Sequence, residues 1–244
     1  MSFKQVIETI DLLDSPVNGD EIAEYIRKCG LDVEVTPVES NIGKTTFLKV
    51  LVTGTEGKTL GGSAATLGII GNLGGIGARP SRIGLVSDAD GAICVVASCL
   101  KLADMRARGD LLKGDVILST HICSEAPIRQ HDPVPFMGSA VEPIEMNKYL
   151  VDMRMDAILS VDTTKGNRIL NHRGIAISPT VKEGWILPVS KNLLDIMEIV
   201  TGEMPIVLPL NTLDITPYGN DLPHLNSILQ PATATKSPVV GLAI

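Results

Sequence analysis

The chain is poor in aromatic residues: Phe3, Phe47, Phe136, Trp185, Tyr25, Tyr149 and Tyr218 are the whole set, 3% of the sequence. So few scattered rings make no stacking surface for single-stranded nucleic acid, and the core must be built from Ile, Val, Leu, Ala and Met. Positive charge is also short. Lys and Arg number 21 against 28 Asp and Glu, a formal net charge of −7, so there is no basic surplus to displace counterions. Neither nucleic acid nor a membrane is expected as a partner. The four cysteines, Cys29, Cys94, Cys99 and Cys123, form no CxxC and no metal-finger spacing. Buried free thiols are the expectation, with Cys123 set apart by its polar neighbours. Mean hydropathy is positive, at +0.25, yet no stretch reaches the roughly 18 apolar residues needed to span a bilayer. The opening MSFKQVIETIDLLD has acids among its apolar residues and no signal-peptide core, which points to a cytoplasmic protein.

What is present is a globular α/β pattern, 44% hydrophobic and 20% charged over 244 residues, with no repeat or linker. A single α/β domain, 1–244, is the economical division. Residues 3–29 read as helical with a break at Ser15-Pro16-Val17-Asn18-Gly19; Asn18 or Asp20 caps the second piece and Gly30 stops it. VEVTPV and FLKVLVTG read as strands around a SNIG turn. From Pro80 onward RIGLVS, GDVILSTH and MDAILSVD read as strands, and AICVVASCLKLADMRARG as a helix ended by Gly109. Apolar runs closed by polar residues are typical of interior strands in a largely parallel sheet. NHRGIAISPT and GWILPVS supply further strands, 190–201 a short amphipathic helix, and PIVLPL a late buried strand. The apolar VVGLAI is expected at a sheet edge or an interface.

Nine glycines fall between residues 54 and 77. They serve either tight turns against a ligand or a closely packed strand and loop. Two GKT tripeptides in this neighbourhood are not P-loops, because Val38 and Val52 stand where the first glycine of GxxxxGK[ST] belongs. Pro80 likewise breaks any GxGxxG reading. No nucleotide cofactor is expected.

Chemistry-bearing residues collect at strand ends, where open α/β sheets bind ligands. RIGLVS leads into Asp88-Ala89-Asp90, DVILST into His121-Ile122-Cys123-Ser124-Glu125, and AILSV into Asp162. His131 and Asp132 follow the His121 loop, and His224 is the one late histidine. Carboxylates and imidazoles from separate strand ends can converge on Zn²⁺, Mn²⁺ or Co²⁺, in one or two sites, with a Glu taking a proton from the attacking water. Each residue has a plainer role open to it. Asp90 can cap a helix, Asp88 can hold a turn and Asp162-Thr163-Thr164 can form an Asx turn. His121 can be a satisfied core histidine, and Glu125 a solvent-facing loop residue.

Over nearly its whole length the chain resembles the uncharacterised bacterial family designated DUF1177, through LGGIGARPSRIGLVSDADGAI, GDVILSTHICSEAP and MDAILSVDTTKGNRI. Residues 83–225 also resemble a reduced dinuclear-zinc aminopeptidase of the glutamyl/deblocking type. The matching pieces are Asp90-Gly91-Ala92, Ser124-Glu125 and Ser160-Val161-Asp162-Thr163-Thr164. That resemblance implies a zinc-peptidase-like three-layer α/β sandwich with a central mostly parallel or mixed sheet. It further implies Asp90 as bridging ligand, Glu125 as ligand or base, Asp162 as terminal ligand and His224 as the last ligand. Ser124 replaces the first Glu of that family's Glu-Glu pair, and no histidine precedes His121, so the early His-x-Asp motif is absent. His121 is the candidate replacement. Two functions follow: a metal-dependent hydrolase of amide bonds in small peptide-like or acylamino substrates, or a non-catalytic binding or assembly protein on the same fold. A homo-oligomer is expected in either case.

Overall fold

The computed structural model describes residues 3–15, 17–73, 85, 89–129, 136–163, 172–215 and 228–244. Helices α1 (Phe3–Leu13) and α2 (Gly19–Lys28) come first. The Asn18 side chain accepts from the Glu21 N–H while Glu21 accepts from the Asn18 N–H, a reciprocal cap that starts α2. Strands β1 (Val33–Glu39) and β2 (Lys44–Val52) form a hairpin around the anticipated turn. Then β3 (Leu67–Gly71), α3 (Asp90–Ala107) and β4 (Val116–Ile122) make a parallel βαβ unit. A small separate pair, β5 (Ile128–Arg129) and β6 (Phe136–Met137), precedes α4 (Pro143–Leu150) and β7 (Ala157–Asp162). The chain continues through β8 (Ala176–Lys182), β9 (Trp185–Leu187), α5 (Lys191–Thr201), β10 (Ile206–Val207) and β11 (Val239–Ala243).

One mixed sheet runs in the order β1-β2-β4-β3-β7-β11-β8-β10, with β9 beside β8. Its centre, β4-β3-β7-β11, is parallel, and antiparallel pairs flank it on both sides. All seven residues of β4 are buried, as a strand covered on both faces requires. Leu118 and Val116 pack with Val95, Val96 and Cys99 of α3 and with Ile22 and Ile26 of α2. Ile117 and Ile158 pack on the opposite face with Leu150 of α4 and Leu229. The result is the expected α/β three-layer arrangement around a mixed sheet.

Three expectations are corrected. VVGLAI is an interior strand, since β11 pairs with both β7 and β8. PIVLPL yields only the two-residue edge strand β10, beside β8. Cys29 is exposed and Cys94 half-buried, leaving Cys99 and Cys123 as the buried thiols; Cys29 lies past the last turn of α2, beyond its apolar face. The RIGLVS strand falls, apart from Leu85, outside the described residues.

Up to residue 73 most of the glycine-rich stretch is packing, with Gly61 in a left-handed turn at φ 83°. Asp115 is buried and accepts from the Gly54 N–H, the Thr59 N–H and the Thr59 hydroxyl, each at 2.9 Å. A Cβ on Gly57 would lie 1.8 Å from the Asp115 Oδ1. Burial opposes the Asp115 charge, but these donors overcome it and hold its pKa below the usual carboxylate value. A close backbone approach joins β3 to α3. A Cβ on Gly71 would sit 1.9 Å from the Gly91 carbonyl oxygen, and one on Gly91 would sit 2.3 Å from the Asn72 carbonyl oxygen and 2.6 Å from that of Val161. Gly91→Ala must therefore push α3 off the sheet. Urea unfolding should show a loss of about 1–3 kcal/mol, the usual range for overpacking; an unchanged midpoint would contradict this contact.

Candidate active site

Strand β3 leads through α3 to β4 on one side and has β7 on its other side. The carboxyl ends of β3 and β7 therefore lie where the chain order switches, the usual position of a ligand crevice in such sheets. Three residues meet there. Asn72 directly follows β3, Asp162 is the last residue of β7, and Asp90 is the first residue of α3.

Thr163 ties them together. Its hydroxyl donates to Asp90 Oδ2 at 2.6 Å, and its backbone N–H donates to Asp162 Oδ1 at 2.8 Å. The Asn72 side-chain amide reaches Asp162 Oδ2 at 3.4 Å. Asp162 is 7% exposed and Asp90 half-buried. The capping reading of Asp90 is overturned: Ala89 holds the N-cap position with no side-chain cap, and the Asp90 carboxylate turns to Thr163. Asp162 accepts from the N–H of the next residue, Thr163, and the same carboxylate reaches across to Asn72; Thr164, which an Asx turn would engage, lies outside the described residues.

His121 is fully buried on β4, two strands from β7. The Thr45 hydroxyl donates to the Ile122 carbonyl oxygen at 3.1 Å, so the 3.0 Å contact between Thr45 Oγ1 and His121 Nδ1 has the imidazole N–H as donor. The other nitrogen, Nε2, accepts from the Leu73 N–H at 3.3 Å. Both nitrogens are thus engaged in the neutral ring, and Phe47 packs against it at 5.6 Å between centroids. In this arrangement His121 serves the core and anchors the backbone at Leu73. Glu125 is exposed, in the turn after β4. Asp88, His131, Asp132 and His224 lie outside the described residues.

Among the described residues, no three His, Cys, Asp or Glu side chains converge to hold a metal ion. What the fold does bring together is the carboxylate pair Asp90 and Asp162. Thr163 contacts both, through its hydroxyl and its backbone N–H. The sequence reading missed Asn72 and the bridging role of the Thr163 hydroxyl. An Asn straight after the apolar run LGIIG was the available signal for the first; the second depends on a contact between residues 73 positions apart.

Burial pushes the His121 pKa down from 6.5 to about 4. The unfolded chain takes up a proton as pH falls through 6.5, while the folded chain refuses it until about 4, so stability is full above the upper value and lost between the two. From about pH 7.5 to about pH 5 this one group should cost about 2 kcal/mol. Urea titrations of wild type and His121→Gln at both pH values check it: the variant should lose that much less on acidification, and equal losses would contradict the assignment.

No curated protein matches the chain in sequence. Solved structures match it in fold. Leucine aminopeptidase from Caenorhabditis elegans superposes with a TM-score of 0.59 at 13% identity, covering 99% of this chain and 60% of that one. Cytosol aminopeptidase from Coxiella burnetii gives 0.55 at 11%, covering 97% and 61%. Glutaminyl cyclase from an Acidobacteriales bacterium gives 0.53 at 12%, covering 100% and 78%. The chain therefore spans about three fifths of the two aminopeptidases, and at these identities the likeness is one of fold. In sequence, residues 36–244 match the family described as a protein of unknown function, DUF1177, and the chain belongs to that family.

Proposed function

We propose that the chain is a metal-dependent hydrolase acting on amide bonds of small peptide-like or acylamino substrates, with its site in the crevice between β3 and β7. The observation that carries this reading is the joining of Asp90 and Asp162 through Thr163 at the strand ends. The fold likeness to two aminopeptidases supports an amide as the scissile bond.

The carboxylates fit a divalent ion such as Zn²⁺, with Mn²⁺ or Co²⁺ as alternatives: they are hard oxygen donors, held by hydrogen bonds that set their orientation. Asp90 and Asp162 would hold it, and His224 is the further candidate ligand. When bound, such an ion polarises an amide carbonyl and makes water a better nucleophile near neutral pH. The chain's own residues do the rest. Thr163 and Asn72 restrain the carboxylates, so little reorganisation is needed on binding. Glu125, in the turn after β4, accepts the proton of the attacking water and returns it to the leaving nitrogen.

Tag-free protein purified without chelator and then exposed to Zn²⁺, Mn²⁺ or Co²⁺ should retain one or two ions per chain by plasma mass spectrometry. Asp162→Asn should lose them. Thr163→Val should weaken the affinity measured by equilibrium dialysis by about 10–100-fold, as changes in residues that orient ligands commonly do. Glu125→Gln should keep the metal and lose about 10²–10⁴ in turnover. Retention of no ion by wild type would overturn the proposal and favour a binding or assembly protein on this fold.

A further inference from the structure

Strand β2 ends beside the start of β4, with Val52 opposite Val116. Near that end lies a cavity of about 470 Å³, lined by Leu51 and five charged side chains: Asp32, Glu34, Lys49, Arg106 and Arg154. Its volume falls within the roughly 300–1,000 Å³ usual for small-molecule sites. Asp162 lies at the opposite end of the parallel strands, since β3, β4 and β7 all start from this side.

The charges around the cavity are incompletely matched. Glu34 and Lys49 stand directly opposite each other on β1 and β2, where opposite charges ordinarily pair. Lys49 instead gives its ammonium to Asp152, at 3.3 Å. Asp152 also takes the Nε and Nη2 of Arg154, at 2.9 and 2.8 Å. Arg106 is held by the carbonyl oxygen and hydroxyl of Thr53 through Nη1 alone. Among the described residues, Asp32 and Glu34 make no ion pair, and Arg154 Nη1 and Arg106 Nε and Nη2 have no acceptor. Glu34 still acts on Arg154 without pairing with it. Bonding to Asp152 does most to raise the Arg154 pKa, burial opposes it, and the Glu34 charge adds to the rise.

We propose that this cavity binds a small zwitterion, an amino acid or short peptide with both termini free, its carboxylate on Arg106 and Arg154 and its ammonium on Glu34 and Asp32. Asp152 offsets one of the three cations, so two positive and two negative groups remain to face a ligand. A plain anion meets the two acids, and a plain cation meets the two guanidiniums. A ligand carrying both charges is matched at each end. Both guanidiniums are held by their other nitrogens, which leaves N–H donors already oriented for a carboxylate. The site is separate from Asp90 and Asp162 and does not depend on the cation reading.

Isothermal titration calorimetry of the full chain with glycylglycine, near neutral pH, tests the proposal. Saturable binding is expected, with a Kd on the order of 1 mM or tighter. N-acetylglycylglycine lacks the ammonium and glycylglycinamide lacks the carboxylate; each should bind at least about 10-fold more weakly. Glu34 is exposed and bonds to nothing in its own fold. Glu34→Gln should therefore weaken glycylglycine about 10-fold and remove most of its advantage over N-acetylglycylglycine, a change in preference that a general structural defect would not produce. Arg106→Gln should remove most of the advantage over glycylglycinamide, and Asp162→Asn should bind as wild type does. No saturable heat at tens of millimolar peptide, or capped peptides that bind as well as the free one, would overturn the proposal. Binding abolished by Asp162→Asn and untouched by Glu34→Gln would overturn it too, placing the peptide at the carboxyl ends of β3 and β7 instead.

Discussion

The backbone contact between Gly71 and Gly91 governs how the central sheet meets its principal helix. A side chain at either position would occupy space already filled by main-chain atoms, so the first turn of α3 lies directly on the ends of β3 and β7. Asp90, immediately before Gly91, is thereby delivered to the rim of the sheet rather than to solvent. Glycine costs conformational entropy on folding, and here that cost is offset by a placement no other residue permits.

From that contact a continuous series of hydrogen bonds runs between core and crevice. His121 receives the Leu73 N–H, the neighbouring Asn72 reaches Asp162, and Thr163 joins Asp162 to Asp90. The buried imidazole thus holds the backbone beside Asn72. Low polarity around His121 keeps it neutral, which suits a ring that must accept one hydrogen bond and donate another. Acidification would give Nε2 a proton, leaving two donors facing each other at the Leu73 N–H.

Much of the architecture was legible because interior parallel strands announce themselves as apolar runs. DVILST and AILSV could be placed as strands, and Asn18, Gly30 and Gly109 marked helix boundaries, by local rules alone. The errors fell where tertiary pairing decides. VVGLAI looks like an edge strand until β8 supplies its second neighbour, and PIVLPL looks buried until its short pairing leaves it at the rim. The site was legible in part. Asp90 and Asp162 stood out as acids at strand or helix ends, but nothing local shows that Thr163 bridges them. His121 could equally have been a ligand or a core residue, and only the positions of Thr45 and Leu73 decide how its nitrogens are used. Glycine-rich sequence was ambiguous for a similar reason: the same residues suit a ligand cradle or a crowded backbone, and the neighbours of Gly57 and Gly71 show the latter.

The claim on which the functional account rests is that Asp90 and Asp162 act as one cation-binding pair. Anomalous diffraction at the zinc edge, from crystals grown with excess Zn²⁺, addresses it directly. The account predicts a peak in the crevice between β3 and β7 with an oxygen of each carboxylate about 2.0–2.2 Å away. A crevice with no peak at saturating Zn²⁺, or an ion bound elsewhere while Thr163 still spans the two acids, would contradict it.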